Sequence, residues 1–228
     1  MKNIGLTLAL LPILLISCTS NKVYNSTTAL SPPLNASVII LPPDFEISSL
    51  NAGGNREPQA DWTAAAKSGF IAALEEFFFD RGVRPIPYGL ENLSDEDVDL
   101  IRQANINLDA IELAQARGSM PGTREYSISD NLIAPLEKYD ADYAIFAMIR
   151  SSHATGGRVA VAIIAGIGGV PVATGSASYR VALFDLRDGQ VAWANFDPVA
   201  LGGLGNPAEA SNEQWQRSFE TLFQDFPL

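Results

Sequence analysis

Apolar runs and segments of helical spacing alternate along the first part of the chain. Ser37–Leu41 is a short, mainly apolar run that ends at two prolines, which is typical of a buried strand. Glu46–Gln59 is polar and predicts a loop. Asp61–Asp80 repeats apolar residues at helical spacing and ends before Gly82, and Val83–Pro87 predicts a second strand. This order indicates two parallel strands joined by a right-handed crossover.

The middle of the chain predicts helices that precede a central strand. Leu93–Arg117 contains helical patterns, and Ser94 with Asp97 at its start is typical of a helix cap. Ser129–Tyr139 predicts a further helix. Tyr143–Ile149 is apolar on both parities, so it predicts a central strand that is covered on both faces.

The last third predicts a β-hairpin and a final helix. Ser176–Asp185 and Gln190–Phe196 have strand character, and Asp188-Gly189 between them favours a tight turn. Asn206 predicts the N-cap of an amphipathic helix. The elements together predict an α/β (α+β) fold: a mixed β-sheet packed with helices, with a β-α-β start, a late β-hairpin and a C-terminal amphipathic helix.

The start of the chain has the layout of a secretory signal peptide. Lys2 is positive, and Ile4–Ile16 is an apolar run shorter than the roughly 20 residues of a membrane-spanning helix. The sequence Leu-Ile-Ser-Cys that ends at Cys18 resembles the bacterial lipobox, and Cys18 is the only cysteine. The resemblance implies cleavage before Cys18 and lipidation of its thiol and amine. A plain signal peptide followed by an incidental cysteine, or a short uncleaved anchor, stays open.

The residue after the cysteine bears on the destination in the cell. It is Thr19, whereas an aspartate there resembles an inner-membrane retention signal. The resemblance therefore implies a bacterial envelope protein that is lipid-anchored to the outer membrane, where the cell has one, and faces the periplasm.

The composition divides the chain into three parts. Residues 1–17 are the predicted signal peptide, residues 18–36 the lipidated cysteine with a flexible tether rich in Ser, Thr, Asn and Pro, and residues 37–228 a single α/β domain. The net charge of −11 repels nucleic acid and anionic lipid headgroups, so we expect no nucleic-acid partner and a membrane contact made through the lipid.

The pattern resembles a known group of envelope lipoproteins. The stretches VIILPP from Val38, ADYAIFAMI from Ala141 and YRVALFDLRDGQVAW from Tyr179 are similar to those of CsgG/TolB amino-terminal-domain-like lipoproteins. That group includes curli-secretion channel subunits, activator lipoproteins of penicillin-binding proteins and auxiliary lipoproteins of transport systems. The resemblance implies a shared fold and location, and action by assembly or by binding partner proteins.

Few residues offer chemistry. His153 is the only histidine, and with one lipid-bearing cysteine a Cys/His zinc site cannot form. His153 follows Ser151-Ser152, which keeps a catalytic serine arrangement open, although a solvated loop histidine is the simpler interpretation. The carboxylates at Asp95–Asp99 complement a helix dipole better than they match a calcium loop. We therefore expect no catalytic residue, no metal and no cofactor.

Val159–Thr174 is the most distinctive segment because it carries no charge. Its three glycines and one proline make it a poor membrane-spanning helix. Three interpretations stay open: a buried loop of the core, a surface for a partner or for self-association, and a loop that touches the membrane. The residues that would form such a surface are Val159, Val161, Ile163, Ile164, Ile167, Val170 and Val172.

Three functions are consistent with this sequence. The first is a lipid-anchored, non-enzymatic assembly or accessory lipoprotein that binds other envelope proteins. The second is a subunit of a homo-oligomeric outer-membrane secretion or export complex. The third is an envelope hydrolase that uses His153 or carboxylates.

Overall fold

The computed structural model describes residues 23–25, 33, 35–88, 94–116, 133–196 and 204–228. The predicted signal peptide and Cys18 lie outside these residues. The strands are β1 (Val23–Asn25), β2 (Ser37–Ile40), β3 (Asp44–Leu50), β4 (Arg56–Pro58), β5 (Arg84–Pro87), β6 (Tyr143–Ala154), β7 (Gly175–Asp185) and β8 (Val191–Asn195). The helices are α1 (Ala60–Phe79), α2 (Asp95–Ala116), α3 (Gly156–Ile167) and α4 (Asn212–Leu222), with a 3-10 helix at Ala134–Tyr139.

The eight strands form one mixed sheet around β6. β6 pairs with β7 in antiparallel register along almost its whole length. On its other side, β6 pairs in parallel first with β2 and then with β3. β2 and β3 therefore lie end to end and are interrupted at Pro42-Pro43, which have no backbone N–H for the ladder. β2 and β5 are parallel neighbours, so the predicted β-α-β start and the mixed sheet are confirmed.

Each face of the sheet carries its own hydrophobic core. Alternate residues of β6 point to opposite faces: Ile145 and Ala147 join the core under α1 and α4, while Ala144 and Phe146 join the core under α2. All seven residues of Tyr143–Ile149 are buried, which confirms the predicted central strand. The late hairpin is covered twice as well, since Ala182 and Phe184 are as buried as their neighbours Val181 and Leu183.

Aromatic rings join α1 to α4 on the first face. Phe70 of α1 lies edge-to-face against Phe45, Trp215 and Phe219, with ring centroids 5.2 to 5.6 Å apart. Such edge-to-face pairs add to the free energy of burial. Gly69 allows the two helices to approach, because a Cβ at Gly69 would lie 2.9 Å from Nε1 of Trp215.

The two helix starts predicted from caps differ in outcome. α2 begins as predicted: the Asp97 N–H donates to Oγ of Ser94, and the Ser94 N–H donates to the Asp97 carboxylate. The predicted start of the last helix at Asn206 is wrong, since α4 begins after Ser211. The reason is a reciprocal capping box between Ser211 and Gln214, which satisfies two helix-end donors.

Three further predictions need correction. The predicted loop at Glu46–Gln59 contains most of β3 and all of β4, because Ile47 of β3 is buried in the core and Ser49 is buried against hydrogen-bond partners at Glu57 and Gln59. Val23–Asn25, inside the predicted tether, pairs with β8, so the sheet begins before Ser37. The described part of the helix predicted at Ser129–Tyr139 is mainly 3-10 helix.

Candidate functional site

The hairpin of β6 and β7 carries the surface that stands out from the rest of the domain. Its last paired residues are His153 and Gly175, and α3 lies between them at the end of the hairpin. We call α3, the residues up to Thr174 and the neighbouring turn Asn51–Asn55 the hairpin tip. The tip contains the whole uncharged segment singled out in the sequence.

α3 is a helix of twelve residues, none of which is buried. The interpretation of Val159–Thr174 as a buried core loop is therefore wrong. Ile164 is 71% exposed and Ile167 is 85% exposed. Six of the seven predicted surface residues are exposed, and Val172 is half-buried. The sequence could not show this exposure, because an uncharged apolar run is equally typical of a core.

The apolar side chains of α3 cover a wide arc of its surface. Val159, Ile163 and Ile167 follow one another at steps of four residues along one stripe, and Ile164 lies beside that stripe. At about 100° per residue, Val159 and Val161 mark the two edges of the apolar arc, and the three isoleucines lie between them. The arc covers roughly 200° of the helix circumference. The remaining arc, which faces the domain, holds Arg158 and small residues.

Hydrogen bonds hold the first turn of α3 against the sheet. Thr155 is the N-cap, and its Oγ1 accepts from the Arg158 N–H. The Thr155 N–H and hydroxyl both donate to the Leu50 carbonyl, at 2.9 and 3.1 Å. The Arg158 guanidinium donates to the carbonyls of Ala173 and Ala52. The helix is thus presented in a defined orientation.

The tip lacks acidic residues although the chain has a net charge of −11. Val159–Tyr179 and Ile47–Asn55 carry no charged side chain. Glu46 and Arg56 flank the stretch Ile47–Asn55, and Arg158 and Arg180 flank the stretch Val159–Tyr179. None of the described helices is both long enough and apolar enough to cross a membrane.

His153 lies on β6 near the tip and is half-buried, so the interpretation as a solvated loop histidine is wrong. Its Nε2 lies 3.0 Å from Oγ of Ser151, two residues back on the same face of the strand. Burial lowers the pKa of His153, and the charge of Glu209 opposes this shift. Among the described residues, no hydrogen bond joins the imidazole to a carboxylate, which a complete triad would need.

The buried imidazole predicts a pH dependence of stability. A folded pKa below the unfolded value of about 6.5 means that the unfolded chain binds the proton more readily. Stability is therefore full above about pH 6.5 and falls as the pH drops from there toward the folded pKa. We expect His153→Gln to lose less stability than the wild type between pH 7 and pH 5.5 in urea unfolding. Equal losses in both proteins would contradict the assignment.

The acidic cluster at the start of α2 acts in helix capping. Asp97 completes the cap with Ser94, and Asp99 forms an ion pair with Arg102 on the same helix. The hydrogen bond from Ser94 lowers the pKa of Glu96. Across the described residues, no group of three His, Cys, Asp or Glu side chains is arranged to hold a metal ion.

Comparison with known proteins gives structural neighbours only. No family model matches the chain, and no curated protein matches it. A PelC dodecamer from Paraburkholderia phytofirmans is similar at 11% identity and a TM-score of 0.32, over 88% of this chain and 97% of that chain. A variant PelC dodecamer from the same organism is similar at 10% identity and a TM-score of 0.33, over 88% and 96%. The resemblance to the CsgG/TolB-like group stays a prediction.

Proposed function

We propose that this chain is a lipid-anchored accessory lipoprotein of the bacterial envelope, which acts by binding and assembly and not by catalysis. One observation carries the proposal: α3 presents an exposed apolar surface at the end of a long hairpin, where a second surface, of a protein or of the membrane, can cover it. Soluble monomers rarely expose contiguous apolar patches of this kind unless the patch contacts another surface.

The energy available at this surface is large enough for a specific contact. Six of its aliphatic side chains are exposed: Val159, Val161, Ile163, Ile164, Ile167 and Val170. Fully burying such a side chain contributes about 1.5–3 kcal/mol. Because these side chains are already partly covered, covering the rest of each would contribute roughly 1 kcal/mol. Covering the patch would thus contribute on the order of 5 kcal/mol.

The anchor belongs to the proposal through the sequence at Cys18. A lipobox-like motif follows a short apolar run, and Cys18 has no other cysteine with which to pair. Acyl chains on this residue would bring the domain to the membrane, where envelope partners are concentrated. Each buried methylene of a lipid adds about 0.8 kcal/mol.

A crosslinking pull-down from intact envelopes tests the protein-binding part. The full chain with its native leader should recover the same envelope protein in repeated experiments. A form without the lipid anchor, in which Cys18 is replaced by serine behind an ordinary cleavable leader, should recover much less of it, because it is no longer held beside the membrane. Repeated recovery of no envelope protein by the anchored chain would contradict the proposal.

Self-association in an export complex is a second candidate, which the exposed apolar patch also favours. In this case the patch of one copy would be covered by another copy, so the detergent extract should contain a defined oligomer. Light scattering after size-exclusion chromatography gives the mass of that particle. A strictly monomeric extract excludes this function.

Hydrolysis is a third candidate, and the contact between Ser151 and His153 is the observation that favours it. A deletion strain provides the test. If the Ser151→Ala and His153→Ala chains complement the deletion as fully as the wild type does, this site does no catalysis.

A further inference from the structure

The course of the chain at β1 shows which end of the sheet the N-terminal segment approaches. Val23 pairs with Asn195 of β8, and Asn195 pairs with Val181 of β7. β1 therefore runs in the same direction as β7, and both strands begin on the side of the hairpin tip. Val23, the first residue of β1, therefore lies at the end of β1 that is nearer the hairpin tip.

Fully extended, the five residues before Val23 would bring Cys18 to about 3 Å short of the level of Gly175, so the lipid on Cys18 would have to span the remaining distance to α3. Val181 lies six positions from Gly175, where the hairpin ends, which is about 20 Å along the strand. Cys18 lies five positions before Val23, and five residues of extended chain span at most about 17 Å. β1 is two strands away from β7, or about 10 Å across the sheet.

The chemistry of the tip matches a lipid surface. The two uncharged stretches, Ile47–Asn55 and Val159–Tyr179, meet at this end. The acidic groups nearest to it are Glu57, which accepts a hydrogen bond from Asn51, and Glu209, whose charge acts on His153. α3 is about 18 Å long, too short to span a bilayer but long enough to lie along one. A protein groove covers a single stripe of a helix, whereas the apolar arc of α3 is about 200° wide.

We propose that the occupant of α3 is the bilayer itself. This inference rests on the proposed lipid anchor and deepens it: α3 lies in the membrane interface beside the lipid of Cys18. Ile163, Ile164 and Ile167 enter the boundary between headgroups and acyl chains. The lipid and the helix are two contacts on one membrane, so the domain is held with its hairpin tip toward the lipid and its opposite end in solution.

The single cysteine makes the test direct. Once Cys18 carries lipid it has no free thiol, so an introduced cysteine is the only position that a thiol-reactive fluorophore labels. The full acylated chain with Ile164→Cys is labelled with an environment-sensitive probe. It is then reconstituted into phosphatidylethanolamine and phosphatidylcholine vesicles that contain nitroxide-labelled lipid.

The structure supplies two matched control positions. Lys138 is exposed on the 3-10 helix before β6, so Lys138→Cys lies about 40 Å from the tip along the hairpin. Ala162 faces the domain on α3 itself and is half-buried. We expect the nitroxide lipid to reduce the fluorescence at position 164 by about twofold or more, with a smaller effect at 162 and none at 138.

Each other outcome overturns a defined part of the proposal, either the bilayer contact of α3 or the lipid anchor at Cys18. A probe at 164 that stays solvent-exposed and unquenched overturns the bilayer contact. A probe that is shielded but unquenched, with thiol crosslinking between unlabelled Ile164→Cys copies, replaces the bilayer by a second copy. A shielded, unquenched probe without such crosslinks overturns the bilayer contact as well. The intact mass separates the two proposals: absence of lipid on Cys18 overturns the anchor, whereas an acylated but unquenched chain overturns only the role of α3.

Discussion

Replacing Cys18 by serine, behind an ordinary cleavable leader in place of residues 1–17, is expected to move most of the protein from the membrane fraction to the soluble periplasmic extract. The leader is exchanged so that an uncut signal peptide cannot retain the chain. The reason for release is that the acyl chains supply most of the binding energy, while the net charge of −11 provides no attraction to anionic lipids. The described part of the chain contains no helix able to span a membrane.

Fractionation followed by immunoblotting measures this distribution, and circular dichroism of the released protein shows whether it is still folded. Ser20→Ala behind the native leader serves as control and should stay with the membrane. If the Cys18→Ser chain instead remained in the membrane fraction through a salt wash, lipid at this position would not be the anchor. Adding Ile164→Asp and Ile167→Asp would then show whether α3 alone holds the protein there.

Phe70→Ala is expected to lower the free energy of unfolding by about 3–5 kcal/mol. Phe70 is 1% exposed and contacts three aromatic rings that belong to β3 and α4, so its removal leaves a cavity at the junction of three elements. Urea unfolding followed by the fluorescence of Trp193 and Trp215, which are both buried, provides the measurement.

Phe79→Ala is the matched control because it removes the same side chain from the same helix. Phe79 is 76% exposed, and surface substitutions usually change stability by less than about 0.5 kcal/mol. Comparable losses in the two variants would mean that the aromatic cluster between α1 and α4 does not stabilise the fold as described.

Local patterns were sufficient for the elements whose burial is regular. α1 repeats apolar residues at helical spacing along most of its length, so both of its ends were predicted to within one residue. β6 is apolar on both parities between Tyr143 and Ile149, so its start was predicted correctly, whereas its continuation to Ala154 was not. The capping pair Ser94 and Asp97 was equally legible, since a cap depends on residues only three positions apart.

Elements that depend on distant partners were missed. β3 contains the buried Ser49, whose hydrogen-bond partners come from β4 and the residue after it, and no local pattern shows these partners. β1 is only three residues long and exists because β8 offers a free edge. The two possible starts of α4 both had cap residues, and only the reciprocal bonds at Ser211 decided between them.

The candidate site divides in the same way. The absence of charge from Val159 to Thr174 was plain in the sequence, whereas the exposure of α3 became evident only from its position beyond the hairpin. The contact between Ser151 and His153 could have been predicted from their spacing of two residues, but His153 was interpreted as a loop residue. If the strand at Tyr143 is extended beyond Ile149, residues two apart must share a face.

By itself the sequence determined the fold class, the lipobox-like motif at Cys18 and the presence of one uncharged apolar segment, because these depend on residue type and short-range spacing. Only the tertiary structure decided that this segment is an exposed helix and that β1 begins on the side of the sheet where this helix lies. Burial and strand direction are set by which elements pack together, and an apolar run has the same residue types whether it is buried in a core or lies on the surface.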